Sequence, residues 1–378
     1  MKRLWKLLLL VVAGIVLVAC GNTESETSSQ GSDTEGSDTE ETTQESGSEE
    51  PLEVLLLVQQ LGDMSFNDSA QAGINAAQEE FGDQIETNVI EYGADPAAME
   101  PSLLDAADAG YNVIVVPSQF VDLVSQYAPE YPDTQFWLFD TTFDHESGDY
   151  PNVYAITYRA NEASYLGGYL AASMSETGTL GFLGGMDNNI INDFLVGYAE
   201  GAQAANPEVS ILSSFVGAWD DSAKGKELGL SMYGQDASMV FNVAGGSGVG
   251  LIEAGVEQGN HVLGVDSDQA MMYHENGQED YASVIPTSVL KNVGDSLHRA
   301  ISLQLSGELA VGETETLGLV EGGVGLADNQ YYEEMVPEEL RTEIAEIEQQ
   351  IIDGEIEVGT SYDMTSEEIE EFRNGLTP

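Results

Sequence analysis

Short hydrophobic segments alternate with longer amphipathic segments along most of the chain. Short apolar runs bounded by polar residues are typical of buried strands in a parallel sheet, and the longer segments are typical of helices that cover such a sheet. The pattern predicts strands at 54–58, 85–92, 113–116, 136–140, 152–157, 180–183, 210–216, 239–242, 262–265 and 282–285. It predicts helices at 69–81, 97–109, 121–127, 161–174, 190–204, 222–233, 250–258 and 290–306.

Strands and helices alternate in two consecutive series, and the second series begins near Thr179. Repeated strand–helix–strand units form parallel sheets with right-handed crossovers. We therefore predict an α/β protein with two Rossmann-like lobes. Apolar residues then recur at helical spacing among many acids, at Leu340, Ile344, Ile347 and Ile351, which predicts a surface helix.

The first twenty residues have the pattern of a bacterial lipoprotein signal peptide. A basic start, Met1–Lys6, precedes an apolar run, Leu7–Val18, that is short for a membrane-spanning helix. Ala19 and then Cys20 follow, and Cys20 is the only cysteine, so no disulfide can form within the chain. We predict a signal peptide at 1–19, lipidation of Cys20 and attachment to the extracytoplasmic face of the cell membrane.

Composition changes this picture in two ways. Residues 20–50 are mostly Ser, Thr, Gly and acids, with one five-residue sequence repeated at 31–40, so we predict a flexible linker there. The chain has 67 Asp and Glu against 10 Lys and Arg, a net charge of −57. That charge excludes nucleic acid as a partner, and it is consistent with adaptation to salt or alkaline surroundings.

The turn after the first predicted strand, Gly62–Asp68, is the first candidate ligand site. Open α/β sheets bind ligands at the carboxyl ends of their strands. This turn offers the carboxylate of Asp63, the phenyl ring of Phe66 and the amide of Asn67. Such groups suit a small polar molecule with a flat face.

Other candidates also follow predicted strands. Asp140 and Asp266 could accept hydrogen bonds from a ligand, or they could be turn and N-cap residues. Lys291 could neutralise the acids of a cleft, or it could be a solvated lysine. Gly245 opens a glycine-rich turn that either lets the backbone approach a ligand or is a plain tight turn.

Phe194 occupies the position in the second series that Phe66 occupies in the first. Two rings facing across a cleft would clamp a planar group, each contributing roughly 1–3 kcal/mol; the alternative for both is core packing. The chain shows no nucleophile motif and no phosphate-binding loop, and its four histidines are scattered. We therefore expect no catalytic residue, no metal and no cofactor.

Six segments of the chain resemble the basic membrane protein family, the lipid-anchored substrate-binding proteins of ABC importers. The segments begin at Gly62, Tyr131, Ser164, Gly181, Ala244 and Gly264, and the match runs in order from about Leu52 to about Gly307. The resemblance implies a type I periplasmic-binding-protein fold, with two lobes joined by three crossovers. It also implies binding of purine nucleosides.

The resemblance further implies roles for the candidate residues. Phe66 and Phe194 would stack on the purine, and Asp140 would bind the edge of the base. Asp63 and Asn67 would contact the base or the sugar. The ribose hydroxyls would be held by Gly245, Asp266 and Lys291.

We thus expect an extracytoplasmic nucleoside receptor, monomeric and not an enzyme, that works with ABC permease and ATPase subunits. The expected first lobe comprises 51–158 with 288–309, and the expected second lobe comprises 159–287 with 310–360. An acidic C-terminal tail follows at 361–378. Alternatives are a receptor for a sugar or sugar-derived signal, a sensory or regulatory lipoprotein, and an enzyme such as a nucleoside hydrolase.

Overall fold

Two six-stranded sheets organise the computed structural model, which describes residues 50–377. The predicted signal peptide, the predicted lipidation site Cys20 and the predicted linker up to residue 49 lie outside the described residues. The strands are β1 (Leu52–Val58), β2 (Ile85–Glu91), β3 (Val113–Pro117), β4 (Gln135–Phe139), β5 (Val153–Tyr158), β6 (Thr179–Gly184), β7 (Ser210–Phe215), β8 (Met239–Val243), β9 (His261–Asp266), β10 (Ser288–Lys291), β11 (Thr314–Leu317) and β12 (Val324–Leu326).

Helices lie between most of the strands, as the sequence pattern predicted. They are α1 (Phe66–Phe81), α2 (Met99–Ala109), α3 (Val121–Tyr127), α4 (Ala160–Met174), α5 (Asn189–Ala205), α6 (Ser222–Tyr233), α7 (Gly248–Gln258), α8 (Gln269–Glu275), α9 (Glu279–Ala282), α10 (Val293–Ser306), α11 (Gln330–Met335), α12 (Glu338–Ile352) and α13 (Ser366–Gly375). Within residues 50–377, no helix combines the length and the hydrophobicity needed to span a bilayer.

The first sheet has the strand order β11-β5-β4-β3-β1-β2, and all of its pairs are parallel. Every residue of β3 is buried, whereas β2 at the edge has one buried residue, Ile85, followed by exposed and partly exposed positions. This contrast follows from position, because a central parallel strand is covered by helices on both faces. We call this sheet with its helices the first lobe.

The second sheet has the order β12-β10-β9-β8-β6-β7. Its pairs are parallel except for β10 with β12, which is antiparallel. We call this sheet with its helices the second lobe. The two sheets repeat the same doubly wound plan, so the predicted α/β class with two Rossmann-like lobes is confirmed.

One predicted strand is wrong. Residues 282–285 end α9 and continue as a turn, and the strand begins later, at Ser288. Ala282 and Ile285 are buried, so the apolar run reflects burial and not strand geometry, and Pro286 cannot donate to a ladder. Consequently the next helix begins at Val293 and not at 290.

The chain crosses between the sheets three times, after β5, after β10 and between β11 and β12. The crossing segments are hydrogen-bonded to one another, from Arg159 N–H to Leu317 O at 3.0 Å and from Asn292 N–H to Gly323 O at 2.9 Å. Two short strands depart from the expected lobe boundaries. Ser288–Lys291, expected in the first lobe, pairs with β9 of the second sheet, and Thr314–Leu317, expected in the second lobe, pairs with β5 of the first.

The C-terminal segment is folded against the second lobe. Leu340, Ile344, Ile347 and Ile351 form the buried face of α12, as predicted from their spacing. The acidic residues 361–377 include α13, which begins with a capping box between Thr365 and Glu368.

Candidate functional site

A cavity of about 710 Å³ opens between the two lobes. Its lining comes from turns that follow the carboxyl ends of strands in both sheets, where open α/β sheets bind ligands. All eight residues predicted from the sequence to contact a ligand lie in this lining: Asp63, Phe66, Asn67, Asp140, Phe194, Gly245, Asp266 and Lys291. The structure thus brings the candidates together, while their contacts with a ligand remain a prediction.

Lys291, the last residue of β10, lies between two carboxylates. Its Nζ is 2.7 Å from Asp140 Oδ2 and 3.4 Å from Asp266 Oδ1. The lysine is 2% exposed, which excludes the alternative of a solvated lysine. Asp140 and Asp266 come from different sheets, so one ammonium group connects both lobes at the floor of the cavity.

The two aspartates reach Lys291 from an unusual backbone conformation. Asp140 has a φ of 64° and Asp266 a φ of 61°, in the left-handed region that Asp tolerates better than most residues. Each stands at the carboxyl end of its strand, where the chain turns sharply. The left-handed turns aim both side chains at the same point between the lobes.

Burial and charge govern protonation at this centre. Burial acts to lower the pKa of Lys291, but Asp140 and Asp266 outweigh it, so the pKa is raised and the ammonium is retained. The pKa of Asp140 is also raised, first by burial and in small part by the charge of Asp266, although Lys291 opposes both. The pKa values of Lys291 and Asp140 are both raised because one ammonium group cannot neutralise two buried carboxylates.

Phe66 and Phe194 flank the same ammonium group. Lys291 Nζ lies 4.7 Å from the ring centroid of Phe66 and 5.0 Å from that of Phe194, both within cation–π range. Phe66 is half-buried, whereas Phe194 is 1% exposed and packs edge-on against Phe241. Phe194 is therefore a core residue with one side toward the cavity.

The turn Gly62–Asp68 is shaped by its own carboxylates. Asp63 accepts hydrogen bonds from the backbone N–H groups of Ser65, Asn67 and Asp68, and so caps the start of α1. Asp68 accepts from the N–H groups of Gly62 and Met64. Asp63 thus has a structural role that sequence reasoning did not predict.

The same turn joins the two lobes directly. Ser65 Oγ donates to Asp266 Oδ2 at 2.6 Å, and Gln269 Nε2 donates to Met64 O at 2.9 Å. Met64 has a φ of 54° and packs against a hydrophobic cluster of the second lobe. Left-handed backbone at Met64 costs about 1 kcal/mol or more, which the contacts with the second lobe offset.

Asp63 is expected to titrate near pH 6, because burial raises its pKa from 3.8 to about 6. The folded protein then binds this proton more tightly than the unfolded chain, so the stabilisation is present below pH 3.8 and is lost as the pH rises through about 6. The rise in the pKa from 3.8 to about 6 corresponds to about 3 kcal/mol in the free energy of unfolding.

Urea unfolding of the wild type and of Asp63→Asn at several pH values tests this expectation. Between about pH 4 and pH 7, the free energy of unfolding of the wild type should fall relative to the variant by about 2–3 kcal/mol. Other groups cancel in the comparison. Two curves that stay parallel over this range would contradict it.

Gly245 has a φ of 53°, in the region that favours glycine, and opens a short turn before α7. Trp219 packs over this turn, and its carbonyl accepts from Ser247 N–H at 2.9 Å. A Cβ at Gly185 would lie 2.4 Å from the Trp219 ring, so glycine is required there for the indole to fit. The glycine-rich turn therefore packs against the aromatic ring of Trp219.

Sequence reasoning missed several residues of the lining. Tyr92 follows β2, Met186 follows β6, and Tyr362 comes from the C-terminal segment; Trp219 was noted only as an aromatic of uncertain placement. Met186 ends the segment from Gly181 that resembles the family, although no role was predicted for it. The position of Tyr92 after a strand could have identified that residue, whereas Trp219 and Tyr362 belong to no motif. Residues 50–377 contain no cluster of three His, Cys, Asp or Glu arranged to hold a metal.

The two sheets, the three crossings and the cavity at facing strand ends define a solute-binding protein of the periplasmic-binding-protein type. The family described as "ABC transporter substrate-binding protein PnrA-like" matches residues 52–361. The chain belongs to this family, as the resemblance to basic membrane proteins implied. It is a family of solute-binding proteins and not of enzymes, and ABC solute-binding proteins work with permease and ATPase subunits.

Individual relatives agree with this assignment. Basic membrane protein A of Borreliella burgdorferi is 32% identical over 330 residues, which cover 86% of this chain and 93% of the relative. An ABC transporter solute-binding protein of Aeropyrum pernix K1 superposes with a TM-score of 0.75 at 26% identity, over 86% of this chain and 97% of the other. A protein of Bacillus halodurans described as a transcriptional activator of the comK gene has a TM-score of 0.64 at 24% identity, over 79% of this chain and 97% of that one, and shares the fold.

Proposed function

We propose that the protein is the lipid-anchored receptor of an ABC importer and binds a purine nucleoside in the interlobe cavity. The observation that carries the proposal is the combination of two phenyl rings with the Asp140–Lys291–Asp266 centre in one cavity. A nucleoside needs both, since the base offers a flat face for stacking and the ribose offers hydroxyl groups. The volume of about 710 Å³ lies in the usual range for small-molecule sites.

In this proposal Asp266 is the main acceptor for a ribose hydroxyl. Its Oδ1 is buried and, within residues 50–377, has no hydrogen-bond partner besides the 3.4 Å ion pair with Lys291. Lys291 would donate to the same ribose, helped by the backbone at Gly245. Asp140 would accept from the base edge, Asp63 and Asn67 would contact the base or the sugar, and Phe66 and Phe194 would stack on the purine.

Binding would couple to closure of the lobes. The solute would contact groups of both lobes, so it would favour the closed arrangement over an open one by the free energy of those contacts. The contact of Ser65 with Asp266 would then form only in the closed state. Delivery to the permease, anchoring through Cys20 at the extracytoplasmic face and a monomeric receptor complete the proposal.

Guanosine, inosine and adenosine are the solutes to test first. At a concentration of about 100 times its Kd, the preferred nucleoside should add about 2.7 kcal/mol to the free energy of unfolding, and so raise the melting temperature. Isothermal titration should give a matching heat. No heat with any purine or pyrimidine nucleoside would overturn the proposal.

A sugar is the second candidate, because the Asp140–Lys291–Asp266 centre suits hydroxyl groups regardless of what else the solute carries. Titration with ribose separates the two candidates. A nucleoside receptor should bind inosine with at least about 100-fold higher affinity than ribose, since ribose cannot stack on Phe66 and Phe194. Tighter binding of ribose would favour the sugar.

A further inference from the structure

The C-terminal segment reaches the cavity although the sequence predicted only an acidic tail there. Beyond α12 the chain runs back along α5, and a short 3-10 turn, Ser361–Asp363, places Tyr362 in the cavity lining. This residue comes from neither set of strand ends. It therefore adds a wall that the doubly wound plan of the two sheets does not provide.

A buried carboxylate fixes the backbone of this turn. Asp193 Oδ1 accepts from Thr360 Oγ1 at 2.6 Å and from Ser361 N–H at 3.0 Å, and Ser361 Oγ donates to Asn189 O at 2.7 Å. Asp193 is 2% exposed and directly precedes Phe194 in α5. The same helical turn thus positions both Tyr362 and one of the two phenyl rings.

Although the backbone of this turn is held by hydrogen bonds, the Tyr362 side chain is exposed. It is 46% exposed, one of three large hydrophobic side chains so exposed within residues 50–377. Yet its pKa is raised, first because protein surrounds the hydroxyl and then because Asp140 and Asp193 are negatively charged. Because Tyr362 belongs to the cavity lining, its exposed side chain is accessible from the cavity.

Within residues 50–377, the hydrogen bonding of Tyr362 is confined to its backbone N–H, which donates to Thr360 Oγ1 at 3.3 Å. The ring and the hydroxyl are therefore free to contact a solute. An amphipathic aromatic held by a rigid backbone loses little conformational entropy on contact, which makes it an effective recognition residue.

We propose that Tyr362 is a further ligand-contacting residue, whose ring covers the bound nucleoside at the second-lobe side of the cavity and whose hydroxyl hydrogen-bonds to it. This inference rests on the proposed function and deepens it. The C-terminal segment then contributes to solute affinity, because the hydrogen bonds from Thr360 and Ser361 to Asp193 position Tyr362. The hydroxyl makes the contact selective among nucleosides whose polar groups differ.

Calorimetric titration with inosine, guanosine and adenosine tests the inference in four proteins: the wild type, Tyr362→Ala, Tyr362→Phe and Ile90→Ala. Tyr362→Ala should weaken the preferred nucleoside at least about tenfold through loss of the ring and the hydroxyl. Tyr362→Phe keeps the ring and should lose about threefold, and it should change the affinity ratio among the three nucleosides. Ile90→Ala truncates a 43% exposed side chain outside the cavity lining and should bind as the wild type does.

The outcomes separate this inference from the proposed function. If the wild type binds a nucleoside and Tyr362→Ala binds it within twofold, the inference is overturned and the function stands. If the wild type binds none of the three, both are overturned. If Tyr362→Ala also melts at a lower temperature without nucleoside, Tyr362→Phe provides the test. Unchanged nucleoside affinities and unchanged affinity ratios in Tyr362→Phe would overturn the hydroxyl contact.

Discussion

Replacing Lys291 by methionine is expected to lower the free energy of unfolding by about 3–5 kcal/mol. The substitution keeps an unbranched chain of similar length but removes the only positive charge beside Asp140 and Asp266 within the described residues. Two buried carboxylates would then face each other without compensation. The cation–π contacts with Phe66 and Phe194 would be lost as well. Urea unfolding at neutral pH measures the change.

Two further variants make this result specific to the buried centre. Lys224 forms an exposed ion pair with Glu227, in which the two side chains are 39% and 69% exposed. Lys224→Met should therefore lower the free energy of unfolding by less than about 1 kcal/mol. The double variant Lys291→Met with Asp140→Asn removes one uncompensated carboxylate and should regain part of the loss. A Lys291→Met protein as stable as the Lys224→Met protein would contradict the assigned role of the centre.

The sequence predicted most of the fold because the core strands are continuous apolar runs. Segments such as Val113–Pro117 carry no polar residue, as is typical of central parallel strands that are buried on both faces. The pattern failed where elements are short. Thr314–Leu317 and Val324–Leu326 are edge strands of four and three residues, whose sequences alone resemble loops.

The candidate site shows a similar division. Sequence motifs and positions after strands identified eight residues that all line one cavity. They did not reveal what each side chain does there. Asp63 was expected to face a ligand, and the structure shows its carboxylate accepting three backbone hydrogen bonds. Tyr362 could not be found from sequence, because its place depends on Asp193, which lies 169 positions earlier in the chain.

Asp266→Asn is expected to weaken binding of the preferred nucleoside by about 100-fold, because a buried hydrogen bond to a charged group contributes about 1.5–3 kcal/mol. The amide has the same size as the carboxylate, and asparagine also tolerates the left-handed backbone at this position, where φ is 61°. The turn should therefore keep its shape. Isothermal titration measures the loss, and the melting temperature without nucleoside checks that the variant is folded.

Ser65→Ala separates the two possible reasons for that loss. Asp266 Oδ2 accepts from Ser65 Oγ across the lobes, whereas Oδ1 has, within residues 50–377, only the 3.4 Å ion pair with Lys291. If Asp266 acts by binding the nucleoside, Ser65→Ala should lose only about threefold to tenfold, the worth of one neutral donor. If it acts by holding the lobes together, Ser65→Ala should lose at least as much affinity as Asp266→Asn, because the amide oxygen of asparagine can still accept from Ser65 Oγ. That result would overturn the role of Asp266 as a ligand-binding residue and move it to the closure of the lobes.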